Sequence, residues 1–204
     1  SWIVAYMAAV MAGGCATLLN GWWTGEELAG GIALAGCGLV LADEERAARL
    51  DGQDHGARIV LFEHGDPLAG LENLMAVEGS GGALPELSGD DLATILFTSG
   101  STGASKGAVS DHRAVVHGAM NSAAQALIFL GLLQDEGFVP EGQPSALACV
   151  PLFHVTGEVP LLLQSYLSGR KLAIMPKWEA REAMRLIEAE RIGFFIGVPL
   201  MSYE

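Results

Sequence analysis

Apolar residues along this chain follow two rhythms, one of helices and one of buried strands. Residues 2–12 read as a helix and 15–19 as a strand. Thr24 followed by Glu27 has capping-box spacing and predicts a helix running to about Ala35. Residues 38–42 form a short apolar run, the pattern of a buried strand, and Asp43 is placed to cap a short helix. Residues 58–62 are the next strand. Strands that alternate with helices predict a parallel sheet with right-handed crossovers.

The rhythm breaks over 63–90, which is rich in Gly and acidic residues, and predicts a surface excursion. It resumes with a strand at 92–97 that Val109 extends beyond a Gly/Ser/Thr-rich stretch. A helix over 112–130, a loop over 131–144 and a strand over 146–150 follow. Residues 158–167 predict a helix with Gly169 just past its end. Then come a strand at 172–175 and an amphipathic helix over 179–190 with Ala183, Met184 and Ile187 inward. A last strand at 192–198 is stopped by Pro199. The expected class is α/β, with mainly parallel sheets flanked by helices.

Composition narrows the chemistry. Half of the 204 residues are hydrophobic and the formal net charge is −13. Such an acidic surface disfavours nucleic acid, yet a nucleotide needs only a local cluster of donors. Cys15, Cys37 and Cys149 are widely spaced, which fits reduced thiols in a cytoplasmic protein. Residues 1–25 carry no Asp, Glu, Lys or Arg and have the length of a membrane span. Gly13-Gly14 and Asn20-Gly21 divide them, so a buried helix followed by a buried strand is expected and no transmembrane segment. The abrupt apolar start at Ser1-Trp2-Ile3 and the end at Tyr203-Glu204 read as the edges of a fragment.

Residues 98–107, Thr-Ser-Gly-Ser-Thr-Gly-Ala-Ser-Lys-Gly, are the chemically informative stretch. Gly100, Gly103 and Gly107 let backbone approach a ligand closely. Thr98, Ser99, Ser101, Thr102 and Ser105 offer hydroxyls, and Lys106 a positive charge. Successive backbone N–H groups in such a loop form an anion-binding nest. A Ser/Gly linker has similar composition, but the strand that leads in and the Lys-Gly exit favour the anion site. The glycine spacing is not that of a Walker loop. His112 and His117 lie five apart and do not share a helical face as a zinc motif requires, and no Gly-x-Ser-x-Gly occurs.

The run from Phe97 to Gly107 resembles the signature of the adenylate-forming (AMP-binding) superfamily, with Ser105 where that family usually has Pro. Residues 151–157, Pro-Leu-Phe-His-Val-Thr-Gly, resemble its second motif, beside the acyl pocket, and Gly197-Val198-Pro199 resembles a third. The resemblance implies an acyl-CoA synthetase type of ligase and the large N-terminal domain of such an enzyme. Its substrates would be a small-molecule carboxylic acid, ATP with Mg²⁺, and coenzyme A. Thr98, Ser99, Gly100, Ser101, Thr102, Gly103 and Lys106 would hold ATP, with Thr98 also at the metal. Lys106 would neutralise developing charge. His154 would place the carboxylate, and Phe153 would line the acyl pocket. A lone His is otherwise most often a satisfied core residue.

The adenine-side Thr-Glu motif and the C-terminal lid domain of the family have no counterpart in 1–204. The chain is therefore expected to be an incomplete domain, inactive alone. A peptide-synthetase type of adenylation domain and a non-catalytic nucleotide-binding module are the alternatives. The acid and the oligomeric state are left open by the sequence.

Overall fold

A computed structural model describes residues 1–62, 75, 82–98, 105–139 and 142–203. Most of the expected excursion (63–74 and 76–81) lies outside these. The chain divides into two compact units, Ser1–Arg113 and Ala114–Glu204.

In the first unit, α1 (Trp2–Met11) leads to β1 (Ala16–Leu18), α2 (Gly25–Ala35), β2 (Leu39–Ala42), α3 (Glu44–Arg49), β3 (Arg58–Leu61), β4 (Leu92–Thr98) and β5 (Lys106–Asp111). The caps that the sequence specifies are in place. The Thr24 hydroxyl accepts from the Glu27 N–H, and the Glu27 carboxylate accepts from the Thr24 N–H at 2.8 Å. Asp43 accepts from the Arg46 N–H at 2.9 Å and so starts α3. Each bond satisfies a backbone donor that the helix itself leaves unpaired.

β2 pairs with β3 in parallel, and β1 pairs with β4 in parallel. β5 runs antiparallel to β4, the one antiparallel pairing among the described strands, so the sheets are mainly parallel as expected. Antiparallel neighbours need only a short connection, and seven residues separate Thr98 from Lys106. Leu28, Ala29, Ile32 and Leu50 form the core under α2. α1 is less buried than expected: Ala5 and Tyr6 are enclosed, but Val4 and Met11 are exposed.

The second unit carries most of α4 (His112–Asp135), then β6 (Ser145–Ala148), α5 (Gln164–Ser168), β7 (Lys171–Ile174), α6 (Ala180–Ala189) and β8 (Phe194–Phe195). The order across its sheet is β7-β6-β8, all parallel. α4 runs past Gly131 to Asp135, where a loop was expected. Its stop is Gly137, at φ 92°, with the Phe138 N–H reaching back to the Leu133 carbonyl at 2.9 Å. That left-handed turn ends a helix, whereas Gly131 inside one costs only about 1 kcal/mol.

On α6 the buried stripe is Ala183 with Leu186 and Ile187, and Met184 is 63% exposed, contrary to expectation. Met184 lies one residue, and so about 100°, round the helix from Ala183. The expected strand over 192–198 pairs only at Phe194–Phe195, and Pro199 opens a 3₁₀ turn, Pro199–Ser202. Among the described residues, α4 is long and apolar enough to cross a membrane by length and composition. It carries exposed Val116, Met120, Leu127, Ile128 and Leu132.

Candidate functional site

The stems of the expected phosphate loop are the facing ends of β4 and β5. Thr98 and Lys106 are register partners in the ladder, and the Thr98 hydroxyl donates to the Lys106 carbonyl at 3.4 Å. Both side chains are exposed. Ser99, Gly100, Ser101, Thr102 and Gly103 lie outside the described residues.

β4 is anchored from below. Phe97 meets Trp23 edge-on at 5.1 Å, and Gly31 of α2 leaves the space these rings need. A Cβ on Gly31 would sit 2.9 Å from the Trp23 ring and 3.0 Å from Leu19. A Cβ on Gly107 would sit 3.0 Å from a methyl group of Ile95. The helix, the strand and the last Gly of the signature therefore fit together through absent side chains.

The second motif is a turn in the other unit that runs straight into a helix. The His154 N–H donates to the Pro151 carbonyl at 3.2 Å, and the His154 carbonyl accepts from Gly157 and Glu158. The Thr156 N–H donates to His154 Nδ1 at 3.3 Å. The Thr156 hydroxyl lies 3.2 Å from the same Nδ1, and the backbone donor favours the tautomer in which Nδ1 accepts and Nε2 carries the proton. His154 is exposed, and this tautomer gives it a donor for an anionic oxygen. Phe153, partly buried, lies in the same turn.

Gly157 is required there: a Cβ would lie 2.2 Å from the Pro151 carbonyl oxygen. The helix that follows opens with a π-helical stretch, Gly157–Leu163, with Pro160 inside it, before α5. Glu158, Leu161 and Leu162 are almost fully enclosed.

Sequence reasoning assigned no role to Arg170. Its Nη2 donates to the Pro160 and Leu161 carbonyls at 2.7 and 2.9 Å, and its Nε to the Ser165 hydroxyl at 3.0 Å. The guanidinium lies 5.3 Å over the Phe194 ring. Partial burial pushes it below the ordinary arginine value, and it stays a cation. The one available signal was an Arg immediately after the C-terminal Gly of a helix. The Lys171 ammonium donates to both the carbonyl and the carboxylate of Glu190. Arg113, in the first turn of α4, is exposed and pairs with Asp90 at 2.7 Å.

The three cysteines are free. Burial raises the Cys149 thiol pKa, and its Sγ donates to the Ile196 carbonyl at 3.4 Å. Among the described residues no group of three His, Cys, Asp or Glu could hold a metal. Mg²⁺ that arrives with ATP needs few protein ligands, because phosphates and waters supply the rest. The exposed Thr98 hydroxyl fits that limited role.

Comparison with known proteins identifies the family. The AMP-binding enzyme family matches residues 1–203. A 4-coumarate-CoA ligase of Narcissus pseudonarcissus is 27% identical over 99% of this chain and 36% of its own length. ATP-bound MatB from Rhodopseudomonas palustris superposes with a TM-score of 0.74 at 26% identity, over 98% of this chain and 37% of that one. The N-terminal domain of FACL13 from Mycobacterium tuberculosis shares the fold, with a TM-score of 0.75 at 21% identity, over 98% of this chain and 47% of that one. The chain spans about a third of the length of the curated relatives it matches. With its parallel sheets, its Thr98–Lys106 hairpin and its Pro-Leu-Phe-His turn, the chain belongs to the AMP-binding, adenylate-forming enzyme family.

Proposed function

We propose that the protein containing this chain activates a carboxylic acid with Mg²⁺–ATP and passes the acyl group to the thiol of coenzyme A. In the first step a carboxylate oxygen attacks the α-phosphorus and the bond to pyrophosphate breaks. In the second the thiolate attacks the acyl carbon and AMP leaves. The observation that carries this reading is the hairpin that sets Thr98 and Lys106 opposite each other on either side of the Ser-Gly-Ser-Thr-Gly segment.

Ser99, Gly100, Ser101, Thr102 and Gly103 would donate to the β- and γ-phosphates through hydroxyls and backbone. Lys106 would offset negative charge as pyrophosphate separates, a preorganised electrostatic contribution. Thr98 would give one oxygen to the Mg²⁺ that travels with ATP. His154 Nε2–H would hold the carboxylate, and Phe153 would flank the acyl group.

Relatives named for 4-coumarate direct the substrate reading to aromatic acids, with fatty acids next. The spacing of the free thiols supports residence in the cytoplasm.

ATP–pyrophosphate exchange by the full-length protein tests the reading. Exchange that depends on a carboxylic acid, and falls at least tenfold in Lys106→Ala, is the expected result. Mg²⁺–ATP binding that Lys106→Ala leaves unchanged would favour a non-catalytic nucleotide-binding module.

A further inference from the structure

We propose that Arg170 is a positioning residue: by fixing the π-helical stretch Gly157–Leu163 it holds the His154 turn in its carboxylate-binding geometry, a role that rests on the reading of His154 above. A π-helical turn is rare and occurs mostly as a single turn within an α-helix, often at functional sites. Here it spans seven residues and contains Pro160, which can donate no backbone bond. Return to α-helical bonding would shift the register of everything on its N-terminal side, including Gly157 and His154.

Two contacts make that shift matter. Gly157 is seated against the Pro151 carbonyl oxygen with no room for a Cβ. That same oxygen accepts the His154 N–H. Turn and helix are therefore one unit, and a slip in the helix moves the imidazole. The Thr156 N–H that favours the Nε2–H tautomer of His154 belongs to the first turn of this helix.

Arg170 holds the stretch from its other side. Its backbone N–H closes the end of α5 on the Ser165 carbonyl at 3.0 Å, just after Gly169 at φ 63°. Its side chain folds back to two consecutive carbonyls inside the π stretch and to Ser165. The Ser165 hydroxyl in turn donates to the Leu161 carbonyl. Only a planar fork of donors reaches three acceptors at once, and the Phe194 ring fixes its plane. A lysine ammonium is a single point charge and cannot reproduce this.

The test uses the full-length protein, its Arg170→Ala and Arg170→Lys variants, and ¹⁵N-imidazole correlation spectra, with benzoate as the carboxylate probe. In the parent, the neutral imidazole of His154 is expected to favour the Nε2–H tautomer, with a resonance that moves on addition of benzoate. Arg170→Ala is expected to mix the two tautomers and to weaken benzoate roughly tenfold, as loss of charge-assisted bonds would. Mg²⁺–ATP affinity should stay within about twofold, because the change is local to one helix. Arg170→Lys should weaken benzoate about threefold, and it decides the matter if the alanine variant does not fold. Wild-type tautomer and benzoate affinity in the folded variants would overturn the proposal, as would equal losses for benzoate and ATP. Benzoate binding that leaves the parent His154 resonance unmoved would instead overturn the reading of His154.

Discussion

Thr98 and Lys106 stand exposed at the end of a two-strand ladder, whereas His154 stands at the head of a helix whose next turns are among the most enclosed in the chain. The first arrangement is made by local pairing and by one aromatic contact, Phe97 on Trp23. The second needs a glycine wedged on a carbonyl, a buried π-helical stretch and an arginine from beyond the helix end. The ladder tolerates side-chain change at its tip because those side chains face solvent. Gly157, Leu161 and Leu162 of the helix do not, because they are enclosed. Side-chain change at the hairpin tip is therefore expected to be separable from stability, and change in the helix behind His154 is not.

Gly157→Ala is the strongest way to break this contrast. A Cβ at 2.2 Å from backbone oxygen cannot be relieved by a rotamer change. Thermal or urea unfolding should show a loss of about 3 kcal/mol or more, the range of overpacking with backbone displacement.

Leu161→Ala comes next. The side chain is wholly enclosed with Ala146 and Ala148, and its truncation should cost about 3 kcal/mol by the same measurement. A small loss would show that the helix can collapse into the gap.

Lys106→Ala should do the opposite. Its unfolding midpoint should stay within about 0.5 kcal/mol of the parent, as for exposed substitutions. Calorimetric titration with Mg²⁺–ATP should show a loss of about 1.5–3 kcal/mol in affinity. A large stability loss would mean that the hairpin tip is structural after all.

The smallest effect concerns α2, which carries the hairpin through Gly31 and Phe97. The Thr24 backbone bond, then the Thr24 hydroxyl, hold the Glu27 carboxyl below the ordinary glutamate range. A depressed folded-state value means that this stabilisation is present above the unfolded-state value and fades as pH falls through the folded one. Melting curves should show a modest acid-side decline that Glu27→Gln flattens. An identical decline in both proteins would remove the cap from the account.

Local signals in the sequence carried over where the physics was local. Thr24 with Glu27, Asp43 and Gly169 each act within four residues, and each ends or begins its helix as read. The end of α4 was misplaced because two glycines competed, and only Gly137 adopts the left-handed turn. Met184 was misplaced because periodicity gives the stripe but not its centre. The motif residues themselves were legible as composition and order: the strand into Thr98, the Lys106 exit, and Phe153 with His154. Arg170 was not, since its three acceptors lie five to ten residues back and are brought to it only by an unusual helix. The antiparallel turn of β5 likewise depended on a partner strand rather than on its own pattern.

The pairing of Thr98 with Lys106 has a consequence for binding kinetics. Opposed residues of an antiparallel ladder lie about 5 Å apart at Cα, so the pairing of Thr98 with Lys106 fixes the two ends of the seven-residue stretch between them. Loop-closure entropy is then charged to folding and not to ligand capture. In the proposed role, a nucleotide arriving there would have no chain ends to gather, which favours fast association over a slow ordering step.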